Sequence, residues 1–127
     1  MLIYYRRSSI CIKLFFIKTV HGRSEVLEYI NQLKQHKNIK ETKIKLAKIT
    51  GYIDFLSKSG LSMGYPYLKH LTDDIWELRP LRDRILFAYW NNNSFIILSH
   101  FFKQTQKTPK REIERAKKYL EDYKKRR

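Results

Sequence analysis

Between residues 75 and 103 the chain carries three short apolar runs divided only by turn-forming residues. Ile75–Arg79 is the first, Arg84–Trp90 the second and Ser94–Lys103 the third. Pro80 and Asp83 part the first two, and Asn91-Asn92-Asn93 the last two. Asparagine tolerates positive φ, so this triplet marks a tight hairpin turn. Strands joined by such short links pair antiparallel, because a parallel crossover needs about a dozen residues or more.

The flanks complete the architecture. In Ile10–Thr19, Cys11, Lys13, Phe15 and Ile17 alternate with Ile12, Leu14 and Phe16. Both sets are largely apolar, so this strand is expected to be covered on both faces. Cys11 reads as a buried strand residue. His21-Gly22-Arg23-Ser24 is a turn, and Ser24 is a fair N-cap for a helix from Glu25 to Lys34. Val26, Leu27, Ile30 and Leu33 give that helix one apolar face. After a polar connector, Gln35–Lys40, a second helix is expected over Glu41–Leu56. Leu46, Ile49, Ile53 and Leu56 face in, and Lys43, Lys45 and Lys48 face out. Gly51 weakens it by roughly 1 kcal/mol relative to alanine. Ser57–Tyr67 reads as a loop. Thr108 caps, and Pro109 opens, a last helix with Ile113, Ala116, Leu120 and Tyr123 on its buried stripe. The order is β-α-α-β-β-β-α. It describes an α+β fold: a helical hairpin on one face of a mainly antiparallel four-stranded sheet, the other face open, and a C-terminal helix. There is no repeat and no long linker, so residues 1–127 form a single domain. Residues 1–9 read as a short edge extension or a flexible lead, and 124–127 as a basic tail.

Composition narrows the function. The 127 residues are 43% hydrophobic, enough for one core. One cysteine cannot form an internal disulfide, and four scattered histidines leave no metal-ligand spacing, so no metal or cofactor is expected. Aromatic content of 14% excludes a disordered basic tail. The longest apolar-rich stretch, Ser94–Phe102, is far below the roughly 18 residues of a spanning helix. Arg6, Arg7 and the apolar run after them resemble a signal peptide, but Lys13 and Lys18 interrupt it and no cleavage site follows. A cytoplasmic location without a membrane partner is expected. The formal charge of +15 points to nucleic acid, or else an anionic protein. That charge is uneven: residues 101–127 hold eleven basic and four acidic residues, whereas 57–100 hold five and four.

The near-neutral middle is where chemistry is expected. Glu77 and Arg79 alternate with Trp76 and Leu78, so they share a strand face. Arg84 opens the next strand and Lys103 closes the third. Pairing can bring Arg79, Arg84 and Lys103 together as a phosphate-binding set. Each has a plainer reading, since Arg84 can pair with Asp83, and Arg79 with Glu77 or Asp83. Trp76 reads as core.

The segment Tyr67–Tyr119 closely resembles the HigB family of toxins, within the RelE/ParE superfamily of type II toxin–antitoxin systems. The resemblance is carried by Lys69–Leu71, by W-E-L-R at Trp76–Arg79, by Arg84 opening an apolar strand, and by K-x-T-Q-K-T-P at Lys103–Pro109 before a basic helix. It covers roughly residues 10–123. It implies a RelE-like fold and a ribosome-dependent, metal-independent endoribonuclease that cuts mRNA in the ribosomal A site. It also implies a cognate helix-turn-helix (HigA-like) antitoxin, through which the complex sits on operator DNA. Arg84 matches the strand arginine used at the scissile phosphate, Arg79 a second basic position, and Lys103 the basic residue ending the last strand. Gln104 falls where relatives often carry a basic residue, which Lys107 could supply. Glu77 stands where RelE has a lysine, so that relative's general base is not carried over.

Cleavage with the ribose 2′-hydroxyl as nucleophile needs a base, an acid and cations for the developing phosphate charge. Arg79 and Arg84 suit the last role because guanidinium forks match phosphate oxygens. His100 is the candidate base or acid by intrinsic pKa, although alternation turns it away from Lys103 and it equally reads as a core histidine. Lys69 and His70 are the alternatives. Arg82, Lys107, Lys110 and Arg111 are expected to help hold RNA. Two other functions fit the same chain: a ParE-like gyrase inhibitor without nuclease activity, and a plain nucleic-acid-binding module.

Overall fold

The computed structural model describes residues 2–7, 10–18, 22–90 and 94–126, with side chains from residue 13 onward. Its elements are β1 (Leu2–Arg7), β2 (Ile10–Phe16), α1 (Glu25–Gln35), α2 (Lys40–Ser59), a 3-10 turn (Gly60–Met63), β3 (Leu68–Thr72), β4 (Ile75–Leu78), β5 (Asp83–Tyr89), β6 (Ser94–Phe102) and α3 (Lys110–Arg126). The expected three helices and four strands are present, but the sheet has six strands rather than four. Its order is β1-β2-β6-β5-β4-β3.

The two additional strands are the edges. β1 pairs antiparallel with β2, which realises the edge-extension reading for residues 2–7. β3 escapes a pattern search because Lys69 and His70 are exposed and only Leu68 is buried. It pairs with β4 through Leu68↔Leu78 and Lys69↔Glu77. The expected meander continues through β4, β5 and β6, all antiparallel. The Asn91–Asn93 turn lies outside the described residues, as do the side chain of Cys11 and residues 1, 8, 9 and 127. β2 joins β6 in parallel, Lys13↔Ser94 through Phe16↔Ile97. The two-helix link after β2 and the meander beyond it give the chain the length to return in that direction.

Side-chain alternation splits the core between two faces. On one, Leu14, Phe16, Leu78, Ile85, Phe87 and Ile97 pack against Val26, Ile30 and Leu33 of α1 and Ile49, Ile53 and Leu56 of α2. On the other, Leu86, Ala88, Ile96 and Leu98 pack against Ala116 and Leu120 of α3. The second face is therefore not open as expected. Its four apolar strand residues need cover, and the α3 stripe supplies it. β2 contributes Leu14 and Phe16 to one core and Phe15 to the other, as its two-sided apolar pattern requires.

Local signals mostly hold. The Leu27 N–H donates to Ser24 Oγ at 3.3 Å, so Ser24 caps α1. α2 runs past its expected end to Ser59 and stops at Gly60, whose φ of 60° favours glycine. Lys45 departs from expectation: it turns in, its ammonium 3.7 Å from buried Asp83. No helix of the described residues is long and apolar enough to cross a membrane.

Candidate functional site

The Glu77 carboxylate is the centre of the arginine cluster. It is 2% exposed on β4. A buried carboxylate survives only when paired and hydrogen-bonded. Here Oε1 lies 3.5 Å from Arg79 Nε and 3.9 Å from Arg84 Nε. Oε2 accepts a 2.5 Å bond from the Thr108 hydroxyl. Thr108 was expected to cap α3; its hydroxyl instead binds Glu77, and the first turn is closed by Glu112 N–H donating to the Pro109 carbonyl at 3.0 Å. Strand alternation puts Glu77 on the α3 face, opposite Trp76 and Leu78, which belong to the hairpin-side core.

Arg84 is more committed to the fold than a free phosphate ligand would be. It is 5% exposed, and Nη1 donates to the carbonyls of Leu81 and Asp83, each at 2.8 Å. These bonds brace the β4–β5 turn, in which Leu81 holds φ of 57°. Burial pulls the Arg84 pKa down; Glu77 opposes that, and the neighbouring Arg79 adds to it. Arg79 is the more available partner. Its guanidinium pairs with the Glu77 carboxylate, and its buried Nε makes no hydrogen bond among the described residues. Its guanidinium carbon sits 5.5 Å from the centre of the Tyr65 ring.

His100 stands apart, on the hairpin face. Its ring stacks on Tyr29 with centroids 3.8 Å apart. Its Nε2 lies 2.9 Å from Oδ1 of Asp83, which also accepts from the Tyr29 hydroxyl at 2.8 Å. Burial first, then the bond and charge of Asp83, push the Tyr29 pKa well up. Asp83 is wholly buried, and Oδ2 has no hydrogen-bond partner among the described residues. The main chain of His100 is held too: its N–H donates to Glu25 at 2.9 Å, and Arg115 donates to its carbonyl at 3.1 Å. Glu25 also accepts from Arg115 and from Tyr119, tying α3 to the start of α1.

The remaining candidates scatter. Lys69, opposite Glu77 in the ladder, shares the arginine face and is exposed. His70 lies on the other side, against Trp76, and donates to the Asp73 carbonyl at 2.7 Å. The Lys103 N–H donates to Arg82 O at 2.8 Å, and Arg82 Nη2 to Lys103 O at 3.1 Å. This links the two residues beside Arg84, while the Lys103 ammonium makes no ion pair among the described residues. Lys107, Lys110 and Arg111 are exposed around the start of α3, and Arg111 Nε is 3.9 Å from Glu112. Among the described residues, no group of three His, Cys, Asp or Glu is placed to hold a metal.

The family model for the phage-derived Gp49-like protein (DUF891) matches residues 28–121, from α1 to α3. The chain belongs to this family. The Gp49-like family is part of the RelE/HigB-like group of toxins in toxin–antitoxin systems. No curated protein matches the chain. The matched span of this Gp49-like chain contains Arg79, Arg84, Glu77 and the loop before α3, so the cluster belongs to the family's own segment.

The Arg79–Glu77 pair follows the plainer reading of Arg79, whereas the hold of the buried Glu77 carboxylate on Arg84 and Thr108 was not anticipated. Thr108 had no signal beyond its capping position. Tyr29, the partner of Asp83 and His100, is 54 residues from Asp83 and becomes its neighbour only through tertiary packing.

Proposed function

We propose that this Gp49-like chain is the toxin of a type II toxin–antitoxin pair and acts as a ribosome-dependent mRNA endonuclease. The observation that carries the reading is the convergence of Arg79 and Arg84 on Glu77, with Lys69 on the same face. One internal carboxylate faces two guanidiniums, which leaves a net positive pole for a phosphodiester. In the proposed reaction the ribose 2′-hydroxyl attacks phosphorus, the bond to the 5′ oxygen breaks, and a 2′,3′-cyclic phosphate and a 5′-hydroxyl result. The guanidiniums offset the charge that gathers on the phosphate oxygens. Arg79 binds the phosphate directly, and Arg84 acts from behind while holding the turn. The proton steps do not fall to His100, whose ring Asp83 holds on the hairpin side. The partners are a helix-turn-helix antitoxin, which carries the complex to operator DNA, and the ribosome with mRNA in its A site.

Purified protein added to a translating system tests this, with mRNA ends mapped at nucleotide resolution. Cuts inside translated codons are expected, and none in untranslated RNA. An uncut message together with blocked DNA gyrase would favour the inhibitor reading instead.

A further inference from the structure

Tyr65 is 75% exposed, the most open of the large hydrophobic side chains among the described residues. Its position is fixed from both sides. Tyr67 N–H and Leu68 N–H both donate to Gly64 O, at 3.0 and 3.1 Å, and close the turn that presents Tyr65. Gly64 has a φ of 73°, which a side chain would strain. Arg79 N–H then donates to Tyr67 O at 2.9 Å and pins this turn to the end of β4. Tyr67 packs edge-on against Tyr52 and Phe55 of α2, with centroids 5.6 and 5.5 Å apart. The result is an exposed ring beside the Arg79 guanidinium, itself one Glu77 carboxylate away from Arg84.

We propose that Tyr65 is a stacking platform for one unpaired nucleobase of a single-stranded RNA whose adjoining phosphate is held by Arg79. This rests on the RNA reading above and assigns it a base subsite. An aromatic face next to a backbone-binding cation is the usual unit of single-strand recognition. Stacking tolerates any base, so the subsite fixes where a nucleotide lies rather than which nucleotide it is. A surface contact between Arg79 and Tyr65 alone would need only one side of the ring. The exposure leaves ring surface for a base.

The test is binding of a fluorescein-labelled tetranucleotide RNA and of its twin carrying 2-aminopurine, whose fluorescence falls when it stacks. Anisotropy reports binding and 2-aminopurine reports stacking. The folded chain and Tyr65→Phe are expected to bind and to quench. Tyr65→Ala is expected to bind roughly ten-fold more weakly and to lose the quench. Arg79→Ala is expected to weaken binding and make it less salt-dependent. Unchanged affinity and quench in Tyr65→Ala would overturn the proposal and leave the ring as an aromatic protein-docking surface. Absence of binding by the parent chain at low salt would overturn it as well. Binding and Tyr65-dependent quench without cleavage of translated mRNA would support the subsite and contradict only the nuclease reading.

Discussion

The Thr108 hydroxyl donates to the buried Glu77 carboxylate at 2.5 Å, joining the loop before α3 to β4, next to the edge of the sheet. The same carboxylate orients two arginines, so a loop residue outside the sheet helps set the geometry of the cationic pole. Thr108→Val keeps the shape and removes the donor. It is expected to cost about 1–3 kcal/mol in urea unfolding, with Thr108→Ser close to the parent. A Thr108→Val protein as stable as the parent would show that Glu77 does not depend on this bond.

Glu77 itself is the larger commitment. Glu77→Leu leaves Arg84 buried without its counter-charge and is expected to cost about 3–5 kcal/mol, read by urea unfolding. The double variant Glu77→Leu/Arg84→Met is expected to recover part of that loss, because it removes the stranded charge. Additive losses would mean the two side chains do not interact.

Tyr29 predicts a pH signature. Its pKa is raised above the ordinary 10, chiefly by burial and then by Asp83. The folded state therefore favours the neutral phenol. That contribution is fully present below the unfolded value and is lost as pH climbs through the folded one. Tyr29→Phe is expected to be about 1–2 kcal/mol less stable near neutral pH. The gap to the parent should narrow steadily above about pH 10. A gap that stays constant on the alkaline side contradicts this account.

Arg115 ties α3 to α1 and β6 through Glu25 and the His100 carbonyl. Arg115→Met keeps the aliphatic stem and removes those bonds. Amide exchange in α3 is expected to accelerate while that of Leu86–Ala88 in β5 stays slow. Equal exchange in both proteins would place the anchoring of α3 in its other contacts, the apolar stripe and the Tyr119–Glu25 bond.

The meander, the helical hairpin and the last helix were legible in sequence because each rests on a local signal: alternation, 3.6-residue periodicity, or a cap such as Ser24. β3 was not, since an edge strand with exposed Lys69 and His70 carries no burial pattern. The covering of the second face was not either. The stripe of α3 and the residues Leu86, Ala88, Ile96 and Leu98 were each readable, but their mutual contact is a tertiary fact. In the site, the shared face of Glu77 and Arg79 followed from alternation. The capture of His100 by Asp83 and Tyr29, and the inward turn of Lys45, come from long-range packing that spacing does not encode.

The central claim is that Arg79 and Arg84 serve a phosphodiester during translation. Arg84→Ala would also release the carbonyls of Leu81 and Asp83, so Arg79→Ala is the cleaner probe. The decisive measurement is the rate of mRNA cleavage in a purified translating system, parent against Arg79→Ala, with unfolding midpoints matched. The account predicts site-specific cleavage by the parent and a loss on the order of 100-fold or more in the variant. Cleavage by Arg79→Ala at the parental rate would contradict it.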